Sequence, residues 1–325
     1  MKIDELQSLF VNNIQSLYKY NMSEFLTRKQ GTVSLDFTNR LLVFIQDRAA
    51  MDVKSEYKWL IYGRKLKDNA YGINIIVPKY KITYTDKDTG EPISSIDLTP
   101  SEFNKAFKLG VIQKHKEVIS YELDLLYDIR DTVIYDEGQY GKYINNLANK
   151  EIKISNILSF MEDALYINVV NGEKTEYTNG NVVIGSEDVQ DKVSKLIGIL
   201  SNILSNQSHI LEVTGLEREF IGKAIEYSLK TYNKISVNNK DEIDKLSNEV
   251  YNQLSLNEED TDKLIDIMNI IETYVNSVID LSINQFETSV EKEFIINKKA
   301  TRLLNILEAN QVIKHMKGGN MNGIR

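Results

Sequence analysis

The chain has no cysteine, which excludes disulfides, thiolate nucleophiles and cysteine-ligated zinc outright. Histidine is almost as scarce. His115, His209 and His315 are the only three, and none has a second histidine four positions on. A helix carrying HExxH cannot be written, and three scattered imidazoles do not converge on one ion as hydrolytic metal sites require. Each is read as a polar surface or helix-end residue. No GxSxG elbow, GxxxxGKS/T loop or GxGxxG turn is present. Nucleotide hydrolysis and dinucleotide binding therefore have no support, and no cofactor is implied. Composition alone leaves a Ser-His-Asp site open, but nothing recommends it. Apolar runs are short as well: none approaches the ~20 residues needed to cross a bilayer. The opening MKIDELQSLFVNNIQ mixes acids with apolar residues, unlike an ordinary signal peptide. A reducing cytoplasm is the expected location.

What is present, 42% apolar and 26% charged residues over 325 positions, is the composition of a globular protein of about two domains. The net charge of −8 conceals an asymmetry. Residues 1–116 hold 18 Lys and Arg against 13 Asp and Glu, a net of +5, and the remainder carries a net of −13. A basic part joined to an acidic part is expected where one meets phosphate and the other meets something else. Chance segregation on solvated faces is the alternative. The acidic run Glu258-Glu259-Asp260 reads as a solvated helix start rather than a cation site.

Ile3, Leu6, Phe10, Ile14, Leu17 and Tyr18 recur at three- and four-residue steps and predict one amphipathic helix over 3–28. A second helix begins near Asp36. Two β-rich runs around Pro78, followed by DTGEP, predict a hairpin or small sheet, and Thr99 before Pro100 predicts a capped helix start. A new unit is expected to open near Glu117 with a strand, followed by helix, strand, turn, strand and a long helix from about Ser186 to Ser205. The pairs Asn171-Gly172 and Asn179-Gly180 are hairpin signals. From Leu216 to Leu307 the pattern is helical, broken at SVNNKDE and SLNEED, and the Gly/Asn-rich tail reads as frayed. The predicted class is α+β in both halves with a helical C-terminal end.

The segment 35–78 stands out. It holds the only tryptophan, Trp59, then Gly63-Arg64, Lys65 and Lys67, with Tyr57, Tyr62 and Tyr71 interleaved. Rings that stack on unpaired bases beside cations that neutralise phosphates make a sequence-tolerant single-strand surface. The other reading makes Trp59 and Tyr62 core residues and the lysines the wet side of a small domain. On these residues alone, packing is favoured.

The same segment resembles the N-terminal domain of ArdC-type antirestriction proteins and their LtrC-like relatives, whose pattern runs approximately YSxNNxLLIxxQ, then W, then GR, then VxKGEKGIxIxxP. Leu35, Asp36, Phe37, Thr38, Asn39, Leu41, Leu42, Val43, Gln46, Trp59, Gly63, Arg64, Leu66, Gly72, Ile73, Ile75 and Pro78 keep that register without a gap. The departures are Leu35-Asp36 for Tyr-Ser and Asn69 for a turn glycine. Further on, Tyr127-Asp128-Ile129-Arg130-Asp131-Thr132 looks like the family's FDxxQT strand, which leads into a zincin-type metallopeptidase domain. There the HExxH places, 198–202 or 201–205, hold only Gly, Ile, Leu, Ser and Asn, and Ile221 and Lys223 stand where acids are expected.

The resemblance implies an ArdC-like single-strand-binding domain over 1–116, a degenerate zincin-like domain over 117–285 and a C-terminal helix and tail over 286–325. It implies a non-enzyme, without catalytic or metal-ligating residues, that shields DNA of a mobile element or phage from host restriction. The expected DNA contacts are Arg40, Trp59, Tyr62, Arg64, Lys65 and Lys67. The acidic part would bind a host defence or transfer protein. The alternative is an interaction protein that engages such a partner and no DNA. The Ile/Asn/Lys-heavy usage fits an AT-rich bacterial, plasmid or phage genome, and the protein would act in the bacterial cytoplasm, carried in a phage particle or transferred with DNA.

Overall fold

The computed structural model describes residues 3–28, 35–93, 100–148, 152–207, 213–237, 239–256 and 261–284. The fold is α+β with a helical C-terminal end. The helix predicted over 3–28 is split into α1 (Ile3–Ser16) and α2 (Met22–Thr27) by a π-helical turn over Leu17–Asn21. That turn lets adjacent Leu17 and Tyr18 both be buried. Asp36 caps α3 (Phe37–Gln46), its carboxylate accepting the Asn39 N–H at 2.8 Å. Then come β1 (Val53–Lys54), α4 (Glu56–Ile61), β2 (Arg64–Leu66), β3 (Gly72–Asp86), α5 (Pro100–Lys108), β4 (Ile112–Asp128) and β5 (Thr132–Ile134). Thr99, the expected cap of α5, lies outside the described residues.

β3 and β4 form one long antiparallel ribbon, with β1 on the far side of β4, and β2 pairs antiparallel with β5. The hairpin expected around Pro78 is thus placed differently. Pro78 sits inside β3 opposite Tyr121, on an edge strand where a missing N–H is tolerated. The expected boundary at 116/117 is also corrected. It falls in the middle of β4, where Lys116 pairs with Ile82 and Glu117 with Lys81, so the cut would split a continuous ladder.

After α6 (Glu137–Ala148) and α7 (Ile154–Ser159), β6 (Asn168–Asn171) lies parallel to β8 (Asn181–Ile184), which pairs antiparallel with β7 (Glu176–Thr178). Asn179-Gly180 is the two-residue β7–β8 turn, with φ of 51° and 78°, as the sequence led us to expect. Asn171-Gly172 makes no hairpin, because β6 and β8 run parallel. Four long helices follow: α8 (Val189–Gln207), α9 (Gly215–Tyr232), α10 (Lys240–Leu256) and α11 (Thr261–Asn284). Thr214 and Glu217 start α9 with a reciprocal capping box. Residues 286–325, the expected final helix and tail, lie outside the described residues.

Helices from both ends of the chain share the main core. Leu6, Ile14, Phe37, Leu196, Phe220, Ile225, Ile271 and Val275 belong to one buried apolar cluster. Polar ties follow the packing. The Tyr18 hydroxyl donates to the Leu264 carbonyl, Ser247 Oγ donates to the Tyr18 carbonyl, and Ser23 donates through N–H and Oγ to Asp244. Residues 3–28, assigned from sequence to the N-terminal domain, are therefore built into the C-terminal helices. A smaller cluster of Val43, Ala50, Val53, Ile73, Ile75 and Leu126 seals α3 onto the sheet.

Candidate nucleic-acid interface and helical cleft

One helix turn pair closes the free edge of β3. Asn39 and Gln46 are seven residues apart on α3, so they project from the same side. The Asn39 amide donates to the Ile76 carbonyl and accepts the Ile76 N–H, both at 2.8 Å. Gln46 does the same for Asn74, donating at 2.7 Å and accepting at 3.0 Å. The two side chains take the place of a neighbouring strand and satisfy four backbone groups that an edge leaves open.

The other motif residues fasten the fold in the same way. Trp59 is fully buried, and its indole N–H donates to the Tyr127 carbonyl at 2.7 Å. Arg64 is buried as well; its guanidinium donates to Thr132 Oγ1 at 2.6 Å and to the carbonyls of Thr132 and Ile129, and lies 4.6 Å from the Tyr140 ring centre. Gly63 adopts φ +75°, and a Cβ there would lie 2.3 Å from the Asp136 carbonyl oxygen. Arg40, at 2% exposure, forms a buried ion pair with Glu272 of α11 and donates to the Phe25 carbonyl at 3.0 Å. This corrects the expected DNA contacts. Arg40, Trp59 and Arg64 have no surface to offer a strand, because their polar atoms are spent on backbone and buried partners. Tyr62 is half-buried and stacked on Tyr143 at 4.4 Å.

Lys54 completes that ring cluster, its ammonium 5.1 Å from Trp59 and 5.2 Å from Tyr143 while paired with Asp52. The Tyr143 hydroxyl donates to the same carboxylate. Burial, and then this bond to Asp52, pushes the Tyr143 hydroxyl well above the usual tyrosine range.

Of the six expected contacts, Lys65 and Lys67 are exposed. Lys65 lies opposite Val133 in the β2–β5 pair, and the Lys67 ammonium donates to the Arg130 carbonyl. Exposed residues beyond the six expected contacts lie on α4 and after β5. Tyr57, Leu60 and Ile61 share one face of α4 at steps of three and four and are all exposed. Tyr135, also exposed, donates its hydroxyl to the Leu60 carbonyl. The available signal was the i, i+3, i+4 spacing of Tyr57, Leu60 and Ile61, which places them away from Trp59. Lys65 and Lys67 thus stay exposed, while Arg40, Trp59 and Arg64 lie buried beneath the surface.

The places expected for metal ligands fall in a cleft of about 420 Å³ between α8 and α9. It is lined by Gly198, Ser201, Asn202 and Ser205 on one side and Arg218, Glu219, Gly222, Lys223 and Glu226 on the other. Ile221 faces the core instead and is buried. Gly222 lets α9 approach α8, since a Cβ there would sit 3.0 Å from Ser205 Oγ. Ser201 and Ser205 turn their hydroxyls back to backbone carbonyls of α8. Glu226 is paired with Lys230 at 2.6 Å and Lys223 with Glu242 at 3.1 Å. The lining offers two carboxylates, Glu219 and Glu226, among cations, amides and hydroxyls, and no imidazole or thiolate, short of the three or four such donors a zinc ion needs. Among the described residues no group of three His, Cys, Asp or Glu could hold a metal.

No family model matches the chain, and no curated protein does. Among solved structures it is similar to the antirestriction protein ArdC from the R388 plasmid. The metal-free crystal structure matches over 83% of this chain and 100% of that one, at 6% identity and a TM-score of 0.43. The Mn(II)-bound structure matches over 88% and 100%, at 7% identity and a TM-score of 0.45.

Proposed function

We propose that the chain is a non-catalytic antirestriction protein that binds single-stranded DNA and shields it from host restriction. The observation that carries this is the behaviour of segment 35–78. The residues that resemble the ArdC pattern act together as one structural unit, Asn39 and Gln46 on the β3 edge, Trp59 on β4, Arg64 on β5, and they present Lys65 and Lys67 to solvent. In this reading the two lysines neutralise phosphates, and the exposed rings of Tyr57 and Tyr135 stack bases. The donor set between α8 and α9 supports the non-catalytic part, since its two carboxylates, Glu219 and Glu226, come without histidine or cysteine and Glu226 is already paired with Lys230.

Titration of the full chain with single-stranded DNA across a salt series tests the binding. A steep loss of affinity with salt is expected, and Lys65→Gln with Lys67→Gln should flatten the logarithmic slope by about 1.4, at ~0.7 per released phosphate contact. A flat salt dependence, or no binding, refutes the DNA reading and leaves a protein-binding role through the acidic region. Stoichiometric zinc by elemental analysis, together with peptidase turnover, would refute the non-catalytic part.

A further inference from the structure

Between Pro78 and the tip covered by α5, the β3–β4 ribbon has no core beneath it. Ile73, Ile75 and Ile76 are buried, but Lys79 to Thr83 are all exposed, as are Gln113 to Glu117 on the strand opposite. The change falls at the register shift between Lys79 and Tyr80, directly after Pro78, where a bulge re-aims the strands. Beyond it β3 continues from Tyr80 to Asp86, an arm of about 24 Å at the rise of a strand.

Antiparallel partners share a face, so the register sorts the arm's side chains. One face carries Tyr80, Ile82 and Tyr84 with Val118, Lys116 and Lys114, and the other carries Lys81, Thr83 and Thr85 with Glu117, His115 and Gln113. On the first face the Lys116 ammonium lies 3.3 Å from the centre of the Tyr80 ring. Nearer the tip, the Tyr84 ring meets Phe103 of α5 edge-on at 4.8 Å, and Phe107 beside it is exposed. Among the paired strand residues of that face, from Tyr80 to Tyr84 and from Lys114 to Val118, there is no carboxylate. Asp86, at its end, accepts the N–H groups of Asp88 and Thr89 within its own turn. Lys114 forms no ion pair among the described residues.

An apolar protein surface would have to desolvate Lys114 and Lys116, and a duplex backbone would leave the rings unused. A single strand satisfies both, with phosphates on the ammonium groups and bases on exposed rings. We propose that this face of the β3–β4 arm is a second contact surface for single-stranded nucleic acid, with Lys114 and Lys116 on phosphates and Tyr80 stacking a base. Lys116 against the Tyr80 ring puts cation and ring within reach of one nucleotide. The proposal rests on the single-strand reading and adds to it a site separate from Lys65 and Lys67.

The full chain, a Lys114→Gln/Lys116→Gln double variant and a Tyr80→Ala variant are titrated with a fluorescent oligothymidylate over a salt series. The double variant is expected to flatten the salt slope by about 1.4. Tyr80→Ala should weaken binding roughly tenfold with the slope unchanged, the signature of a lost stack. If the full chain binds and neither substitution changes slope or affinity, the arm proposal is overturned and the single-strand reading stands on the Lys65 surface. If the full chain shows no salt-dependent binding, the single-strand reading falls and the arm site with it.

Discussion

Replacing Asn39 with alanine removes both bonds that close β3 at Ile76, leaving a buried N–H and a buried carbonyl without partners. Each such group costs about 1–3 kcal/mol when water cannot reach it, so the pair should cost roughly 2–6 kcal/mol. That is a large part of the ~5–15 kcal/mol by which domains are stable. Gln46→Ala removes the matching bonds at Asn74, but Gln46 and Asn74 are only half-buried and water can replace the amide, so about 1 kcal/mol is expected. Asn39→Asp keeps an acceptor for the Ile76 N–H but sets a carboxylate oxygen against the Ile76 carbonyl and near Asp36, so it should cost at least as much as alanine. Urea unfolding of the three variants supplies the ranking, and amide hydrogen exchange supplies the location. Exchange should quicken at Ile76 in Asn39→Ala and at Asn74 in Gln46→Ala. The edge-closing role is refuted if Asn39→Ala lies within about 0.5 kcal/mol of the parent, the range of ordinary surface changes, or ranks below Gln46→Ala.

Three further outcomes follow from the same contacts. Gly63→Ala meets both a positive φ and the Asp136 carbonyl oxygen at 2.3 Å, so it should lower stability by at least about 2 kcal/mol, measurable as a fall in Tm. Arg40→Met strips the guanidinium from Glu272 and should cost about 3–5 kcal/mol. An unchanged Tm combined with weaker DNA binding would instead make Arg40 a contact. Burial holds the Tyr18 and Tyr143 hydroxyls above the ordinary tyrosine range, so the folded state keeps its protons longer than the unfolded chain. Their contribution is fully present below about pH 10 and is lost as pH rises further, so thermal melts should drop above that pH and drop less in Tyr143→Phe.

Much of the local structure was legible from the residues. Asp36 announced the start of α3, Asn179-Gly180 the β7–β8 turn, and the three- and four-step spacing from Ile3 to Tyr18 a helix, because caps, two-residue turns and amphipathic faces are set by neighbours in the chain. The destinations were less legible. Nothing local tells α1 and α2 to pack on α10 and α11, and a ribbon joined across α5 hides the fact that Glu117 continues a strand rather than opening a domain. The candidate site was misjudged for a related reason. A buried Arg64 that satisfies backbone carbonyls and an exposed Lys65 one residue later read alike as basic residues in a string.

The sequence by itself determined that disulfides, thiolate nucleophiles and cysteine-ligated zinc are excluded. The absence of cysteine holds whatever the fold, since a missing functional group cannot be restored by packing. The tertiary structure alone decided which of the remaining cations and rings reach solvent. That follows from long-range pairing. Trp59 is taken inward by a carbonyl 68 residues away and Arg40 by a carboxylate 232 residues away, while the bulge after Pro78 lifts Tyr80, Lys114 and Lys116 off the core.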